Sequence, residues 1–304
     1  MKNLLRLLLF SATALLVISL IVWISKPTID TAIPEHIPAA GRTAKLTVGT
    51  TYYETAGPDY GEIVLMIHGS FVPNIVYDNT FAALADSGLR TIRYDLYGRG
   101  FSSRPRVDYT PELYIEQIGE LLDHLRVTEP VHLMGLSMGG ALAMLFNHQH
   151  PKRVRSLILI DPVTPTFFSD NQQQRINRLK ERLGRLLSSD TEQASHIERV
   201  RPLMQKAREQ LRYKGVPPAV FSAARHFQSM DLESAYWTAG NSALPVLLIW
   251  GQEDEVIPIS ESATVLELIP QTQFHAIEGA GHMPHYEEAD IVNGIFYGFL
   301  RSQR

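Results

Sequence analysis

Cysteine is absent from all 304 residues, which removes disulfides, thiolate nucleophiles and cysteine-bound zinc from consideration and leaves the redox compartment undetermined. An excess of basic charge is also missing. The formal net charge is −4, whereas a phosphate-binding surface leaves a strongly basic footprint, so no nucleic-acid partner is expected. No H-E-x-x-H pair occurs to hold catalytic zinc. No internal repeat and no low-complexity tract interrupts the chain. What remains is a composition close to the globular average, 45% hydrophobic and 20% charged, which excludes wholesale disorder and a polytopic membrane protein.

One long apolar run is present, from Leu7 to Ile24, behind Lys2 and Arg6. About 18 helical residues suffice to cross a hydrocarbon core. The run leads into Trp23-Ile24-Ser25-Lys26-Pro27 rather than a small-residue cleavage pattern, so an uncleaved anchor over residues 1–26 is expected in preference to a removed signal peptide. The basic residues before the run place the N-terminus in the cytoplasm and the rest of the chain on the periplasmic, extracytoplasmic side, giving a single-pass membrane protein. Pro27, Pro34 and Pro38 make residues 27–45 a semi-extended linker.

Beyond it, Ala44 to Val48 and Thr50 to Ala56 have the composition of an antiparallel opening. Ile63 to Ile67 is continuously apolar, and Val131 to Met134 (broken only by His132), Leu157 to Ile160 and Val246 to Trp250 repeat the pattern, as strands covered on both faces do. Thr272 to Ile277 adds another strand. Helical windows at Phe81 to Ser87 and Leu113 to Leu125 separate them, so the class is α/β with a mostly parallel sheet flanked by helices. The core is expected in two parts, 46–163 and 243–304. Between them, over 164–242, no buried strand is evident. Ile176, Leu179, Leu183, Leu186 and Leu187, then Ile197, Val200, Met204, Ala207 and Leu211, recur at helical spacing, which predicts a helical cap. Arg175 to Lys214 holds eleven Lys or Arg against five Asp or Glu. That segment carries about +6, either as a solvated helical face or as a basic lid near anionic lipid or substrate.

The chemistry concentrates at strand ends. Gly135-Leu136-Ser137-Met138-Gly139 follows an apolar strand and precedes a helix-compatible stretch, the context in which G-x-S-x-G forms a strained turn that exposes its serine. A serine hydroxyl needs a base, and the base needs a group to fix its tautomer. In the order serine, acid, histidine, the candidates are Ser137, Asp254 after the Val246 strand and His282 after the Thr272 strand. Asp161 also ends a strand and is the rival acid, with Glu253 and Glu255 behind it. His285 and His275 are the rival bases. The oxyanion donors are expected to be the backbone N–H groups of Met138 and Ser70, with Phe71 next, from the His68-Gly69-Ser70-Phe71 loop. His68 itself reads as a structural hydrogen-bonding residue, and His148 and His150 as a solvated helix end. Neither metal nor cofactor is required.

These residues resemble the α/β-hydrolase superfamily, in its serine esterase and lipase branch. His68-Gly69 corresponds to the oxyanion loop, Asp95-Leu96-Tyr97-Gly98-Arg99-Gly100-Phe101-Ser102 looks like the D-x-x-G-x-G-x-S turn, and Gly135 to Gly139 is the nucleophile elbow. Gly251 to Pro258 is similar to the acid loop and Gly279 to Glu287 to the histidine loop. The resemblance covers almost everything after Leu46. It implies a hydrolase of carboxylic esters, and the combination with an N-terminal anchor resembles membrane-bound monoacylglycerol lipases, whose substrates partition into bilayers. Ser137 argues against the dehalogenase and epoxide-hydrolase branches, which carry aspartate at the elbow. Ser70-Phe71-Val72-Pro73 departs from the longer glycine-rich loop of meta-cleavage-product hydrolases. Hydrolysis of small soluble esters, amides or diketone carbon–carbon bonds is the alternative, and a non-catalytic binding module of the same fold is the alternative of another class.

Overall fold

The computed structural model describes residues 37–168 and 195–303. The expected anchor, Met1 to Lys26, and the first cap periodicity, Ile176 to Leu187, lie outside the described residues. Among those described, no helix is long and apolar enough to cross a membrane.

The elements follow in order as β1 (Arg42–Lys45), β2 (Thr50–Ala56), β3 (Ile63–Ile67), α1 (Asp78–Asp86), β4 (Arg90–Tyr94), α2 (Pro111–His124), β5 (Val131–Leu136), α3 (Met138–Gln149) and β6 (Val154–Ile160). From residue 195 onward come α4 (Ser195–Leu211), α5 (Val216–His226), α6 (Leu232–Gly240), β7 (Val246–Gly251), α7 (Ser262–Leu268), β8 (Gln273–Ile277), α8 (Pro284–Glu287) and α9 (Ala289–Arg301). They build one eight-stranded sheet of order β1-β2-β4-β3-β5-β6-β7-β8. β1 and β2 pair antiparallel, β2 runs antiparallel to β4, and every later pair is parallel.

Side chains alternate across the sheet as the period of two requires. Leu65, Ile67 and Leu133 enter the cluster beneath α2 and α3, while Val64, Met66, Met134 and Leu136 enter the one beneath α1 and α9. Both faces are therefore filled, which is why β3 and β7 read as apolar runs and β5 and β6 nearly so, the buried His132 and Ser156 meeting each other at 2.7 Å. The helix starts are equally local: Thr110 accepts the Leu113 N–H ahead of Pro111 at the head of α2, and Asp231 accepts the Ser234 N–H ahead of α6, each satisfying one orphan donor of a first turn.

Two details differ from the sequence reading. The first strand runs Arg42–Lys45 rather than Ala44 to Val48, because Leu46 N–H bonds Gly49 O and closes a turn there. β4 has no apolar run to announce it. Its sequence is Arg-Thr-Ile-Arg-Tyr, yet all but its first residue are buried. Arg93 is tolerated inside because its guanidinium pairs with Glu54 at 2.7 Å and with Asp78, and lies 4.4 Å over the Phe81 ring. A buried charge survives when it is paired and hydrogen-bonded.

Over 164–242 the described residues hold α4, α5 and α6 and no strand. α4 realises the second cap periodicity, burying Val200, Met204 and Ala207. Arg199 ties this helix to the loop after β8, pairing with Glu288 at 3.2 Å and donating to Gly279 O.

Candidate active site

Parallel register brings the chemistry together. Leu136 pairs with Ile160, Ile160 with Ile249, and Gly251 with Ile277. Ser137, Asp161, Asp254 and His282 all follow these strand ends, so they share the carboxyl edge of the sheet, where open α/β sheets carry their sites.

Ser137 sits at φ 54°, ψ −117°, a region that a residue with a side chain enters only under constraint. Its N–H is held by Ile160 O at 2.9 Å, and its carbonyl accepts from Gly140 and Val163. The flanking glycines are steric necessities. A Cβ on Gly139 would lie 2.0 Å from Ile67 O, and one on Gly135 would lie 2.3 Å from Gly139 O. The turn is thus pressed against the end of β3 on one side and against itself on the other. Met138 opens α3, so its N–H has no partner within the helix.

The loop after β3 lies directly against this elbow. A Cβ on Gly69 would be 3.4 Å from that of Ser137, and Ser70 Oγ donates to Met138 Sδ at 3.2 Å. Two tethers set the loop's peptides. His68 accepts the Leu96 N–H on Nε2 at 3.0 Å, which leaves Nδ1 protonated to donate to Gly69 O at 2.7 Å. Arg99 Nε donates to Ser70 O at 2.8 Å. In a planar trans peptide the N–H points opposite the carbonyl. The Ser70 and Phe71 N–H groups are therefore turned away from His68 and Arg99. Complete burial holds the His68 pKa down to about 3, so it is a neutral structural ring, as its sequence position suggested. The only sequence signal for Arg99 is its place in the D-x-x-G-x-G-x-S turn.

Asp254 and His282 meet. His282 Nδ1 donates to Asp254 Oδ2 at 2.7 Å, while Asp254 Oδ1 accepts from the Val256 and Ile257 N–H groups at 2.7 and 3.0 Å. This leaves Nε2 as the other ring nitrogen of His282. Among the described residues Ser137 and His282 make no direct hydrogen bond; such bonds are commonly long without substrate and tighten in the complex. Asp161 lies beside the pair but does not take the Nδ1 proton. Glu253 and Glu255 are exposed. His285 is wholly buried, its ring 5.0 Å from that of Tyr77, and burial together with the nearby His282 lowers its pKa to about 3. His275 lies within β8, and His148 and His150 are exposed at the end of α3.

One residue of consequence had no separate signal in the sequence. Glu287 accepts the Gly281 N–H at 2.8 Å and the Met283 N–H at 2.9 Å, so a single carboxylate grips the backbone on both sides of His282. The acid and histidine loops also touch: a Cβ on Gly251 would lie 1.9 Å from Gly281 O.

Comparison with known proteins agrees with this fold. The family model for the alpha/beta hydrolase fold matches residues 62–289. The chain is similar to Lipase 3 of Moraxella sp. (strain TA144), 27% identical over 240 residues, which are 75% of this chain and 73% of the lipase. It is also similar to the 2-hydroxymuconate semialdehyde hydrolase of Pseudomonas sp. (strain CF600), 28% identical over 283 residues, 88% of this chain and 96% of that protein. Among solved structures, a thermophilic esterase from Thermogutta terrifontis superimposes with a TM-score of 0.69 at 26% identity, covering 87% of this chain and 99% of the esterase.

Proposed function

This chain belongs to the alpha/beta hydrolase fold family, and from that premise we propose that it is a serine hydrolase that cleaves carboxylic esters through an acyl-enzyme on Ser137. The observation that carries the reading is the 2.7 Å bond from His282 Nδ1 to Asp254 Oδ2 at the sheet edge that also bears the strained Ser137 elbow. Asp254 fixes the tautomer with Nδ1 protonated, so Nε2 takes the Ser137 proton as Oγ attacks the ester carbonyl. The oxyanion that forms is stabilised by the Met138 and Ser70 N–H groups, with the Phe71 N–H as the next donor along the loop. His282 then protonates the departing alcohol. Water, deprotonated by the same ring, releases the acid and restores Ser137.

The substrate we favour is lipid-like, a monoacylglycerol or similar ester. Supporting this are the Leu7 to Ile24 run, the roughly +6 segment Arg175 to Lys214 and the similarity to a lipase. The same run supports a single-pass membrane location with the catalytic domain on the extracytoplasmic side. Cleavage of a small soluble ester or of a diketone carbon–carbon bond is the second reading, favoured by the similarity to a semialdehyde hydrolase over 96% of that protein.

A fluorophosphonate probe should label the protein on Ser137 and should not label Ser137→Ala, whose esterase activity should vanish with folding intact. Labelling at another serine, or undiminished turnover in the variant, would refute the mechanism. Rates over p-nitrophenyl esters and monoacylglycerols of graded chain length, beside a vinylogous diketone, separate the substrate classes. Preference for the diketone would select the second reading.

A further inference from the structure

Asp161 is a carboxylic acid at this sheet edge to which the mechanism gives no task. It follows β6 directly, is wholly buried, and holds φ 42°, the left-handed region that Asp and Asn enter more readily than other side chains. Its N–H donates to Ile249 O at 3.0 Å and its Oδ1 accepts the Gly251 N–H at 2.9 Å. Oδ2 receives no hydrogen bond from any donor. One carboxyl oxygen of Asp161, one of Asp254 and a ring nitrogen of His282 all lie within 4.8 Å of one another.

Two buried carboxyl groups this close do not both ionise. Their surroundings decide which keeps the proton. Asp254 receives three donors, two backbone N–H groups and His282 Nδ1, and its carboxylate is thereby stabilised. Asp161 receives a single backbone donor. The groups that face it are Asp254 on the loop after β7, Glu287 on α8 and His282 beyond Asp254; burial and the negative charges of Asp254 and Glu287 push its pKa well above the ordinary carboxylate value. A protonated carboxyl has what the Oδ2 position otherwise lacks, an O–H to donate, and the Asp254 carboxylate is the acceptor beside it.

We propose that Asp161 is a positioning residue that works as a neutral acid, donating its carboxyl proton to the Asp254 carboxylate and so fixing the oxygen that holds His282 Nδ1. The proposal rests on the reading of Asp254 and His282 as the acid and base. It assigns Asp161 a role that needs its O–H and not its charge. By sharing the Asp254 negative charge, that O–H also keeps the basicity of His282 from rising. No net charge is added, so the pair Asp254 and protonated His282 stays neutral overall.

The test uses the full-length protein and three variants, Asp161→Asn, Asp161→Leu and Asp254→Asn, assayed on p-nitrophenyl butyrate across pH. Asn carries an N–H where the acid carries O–H and tolerates the left-handed backbone, so it should restore most of what Leu loses. Asp161→Leu should fall about 100-fold in kcat with KM little changed, as expected when a catalytic group is misplaced by about 1 Å. Its acid-limb midpoint should move up, because Asp254 without that donor holds the His282 proton more tightly, and Asp161→Asn should keep the wild-type midpoint. Since Leu strains this backbone and could hinder folding, infrared difference spectra of wild type minus Asp161→Asn supply a measurement independent of it. At neutral pH a protonated-carboxyl C=O band should be present in wild type and lost in Asp161→Asn. Absence of that band, or an Asp161→Asn as inactive as Asp161→Leu, overturns the proposal. If instead Asp254→Asn were active and Asp161→Asn dead, the assignment of Asp254 as the acid would itself have failed.

Discussion

Glu287 offers a quantitative handle on how His282, the proposed base, is held. Its carboxylate, 7% exposed, accepts from the Gly281 and Met283 N–H groups at 2.8 and 2.9 Å, and His282 is the residue between them. Glu287→Ala removes both acceptors. Each stranded N–H costs about 1–3 kcal/mol, so the pair sets a loss of about 2–6 kcal/mol, and partial entry of water brings the expectation to about 3 kcal/mol. At about 2–4 °C per kcal/mol for a domain of this general size, the unfolding midpoint should drop by about 6–12 °C. Because His282 then loses its placement, kcat should fall about 100-fold at nearly constant KM. Glu287→Gln keeps one carbonyl oxygen and should lie between the two. The assay is differential scanning fluorimetry beside esterase kinetics, with Glu287→Ala repeated in a Ser137→Ala background. The same midpoint loss there shows the structural part to be independent of catalysis. A Glu287→Ala protein with wild-type midpoint and wild-type kcat would refute the claim that this carboxylate organises the loop.

Asp254→Asn should lower kcat by roughly 10⁴ with the fold retained, by analogy with the loss of the acid in serine-protease triads, read by steady-state kinetics and circular dichroism. His68 and His285 have folded pKa values near 3 against an ordinary 6.5. The unfolded chain therefore binds more protons below pH 6.5, and stability is lost as pH falls from about 6.5 toward 3. His285→Phe, which cannot charge, should move the acid-unfolding midpoint to lower pH, measured by tryptophan fluorescence; an unchanged midpoint would remove His285 from that account. Deletion of Met1 to Lys26 should release a soluble domain still active on short soluble esters and more impaired on bilayer-dispersed monoacylglycerol, with its vesicle binding weakening in salt. Equal loss on both substrates would instead assign the segment a structural role.

Much of this architecture is legible without coordinates. A strand covered on both faces is largely apolar, so β3, β7 and the apolar stretches of β5 and β6 declare themselves. Glycine is required where chain meets chain, so the Ser137 elbow is written in Gly135 and Gly139. β4 escapes because its polarity is cancelled by residues far away in sequence: Arg93 is an acceptable core residue only once Glu54 and Asp78 arrive beside it. Its strand character is a property of the assembled sheet.

The order of the motifs, their residue types and their positions after apolar runs are sufficient to name Ser137, Asp254 and His282 as candidates, since each is local chemistry at a strand end. Tertiary structure decided the rest. It gave the His282 proton to Asp254 rather than to Asp161, whose carboxyl lies within 4.8 Å of the same pair although 93 residues separate the two acids in sequence. It also turned Arg99 into a grip on the Ser70 carbonyl and Glu287 into one on the backbone either side of His282, and left Asp161 buried with one donor. These outcomes depend on which groups meet inside a low-dielectric interior, where the energy of a carboxyl or an arginine is set by its neighbours. A one-dimensional pattern carries the inventory of such groups; only packing determines their partners.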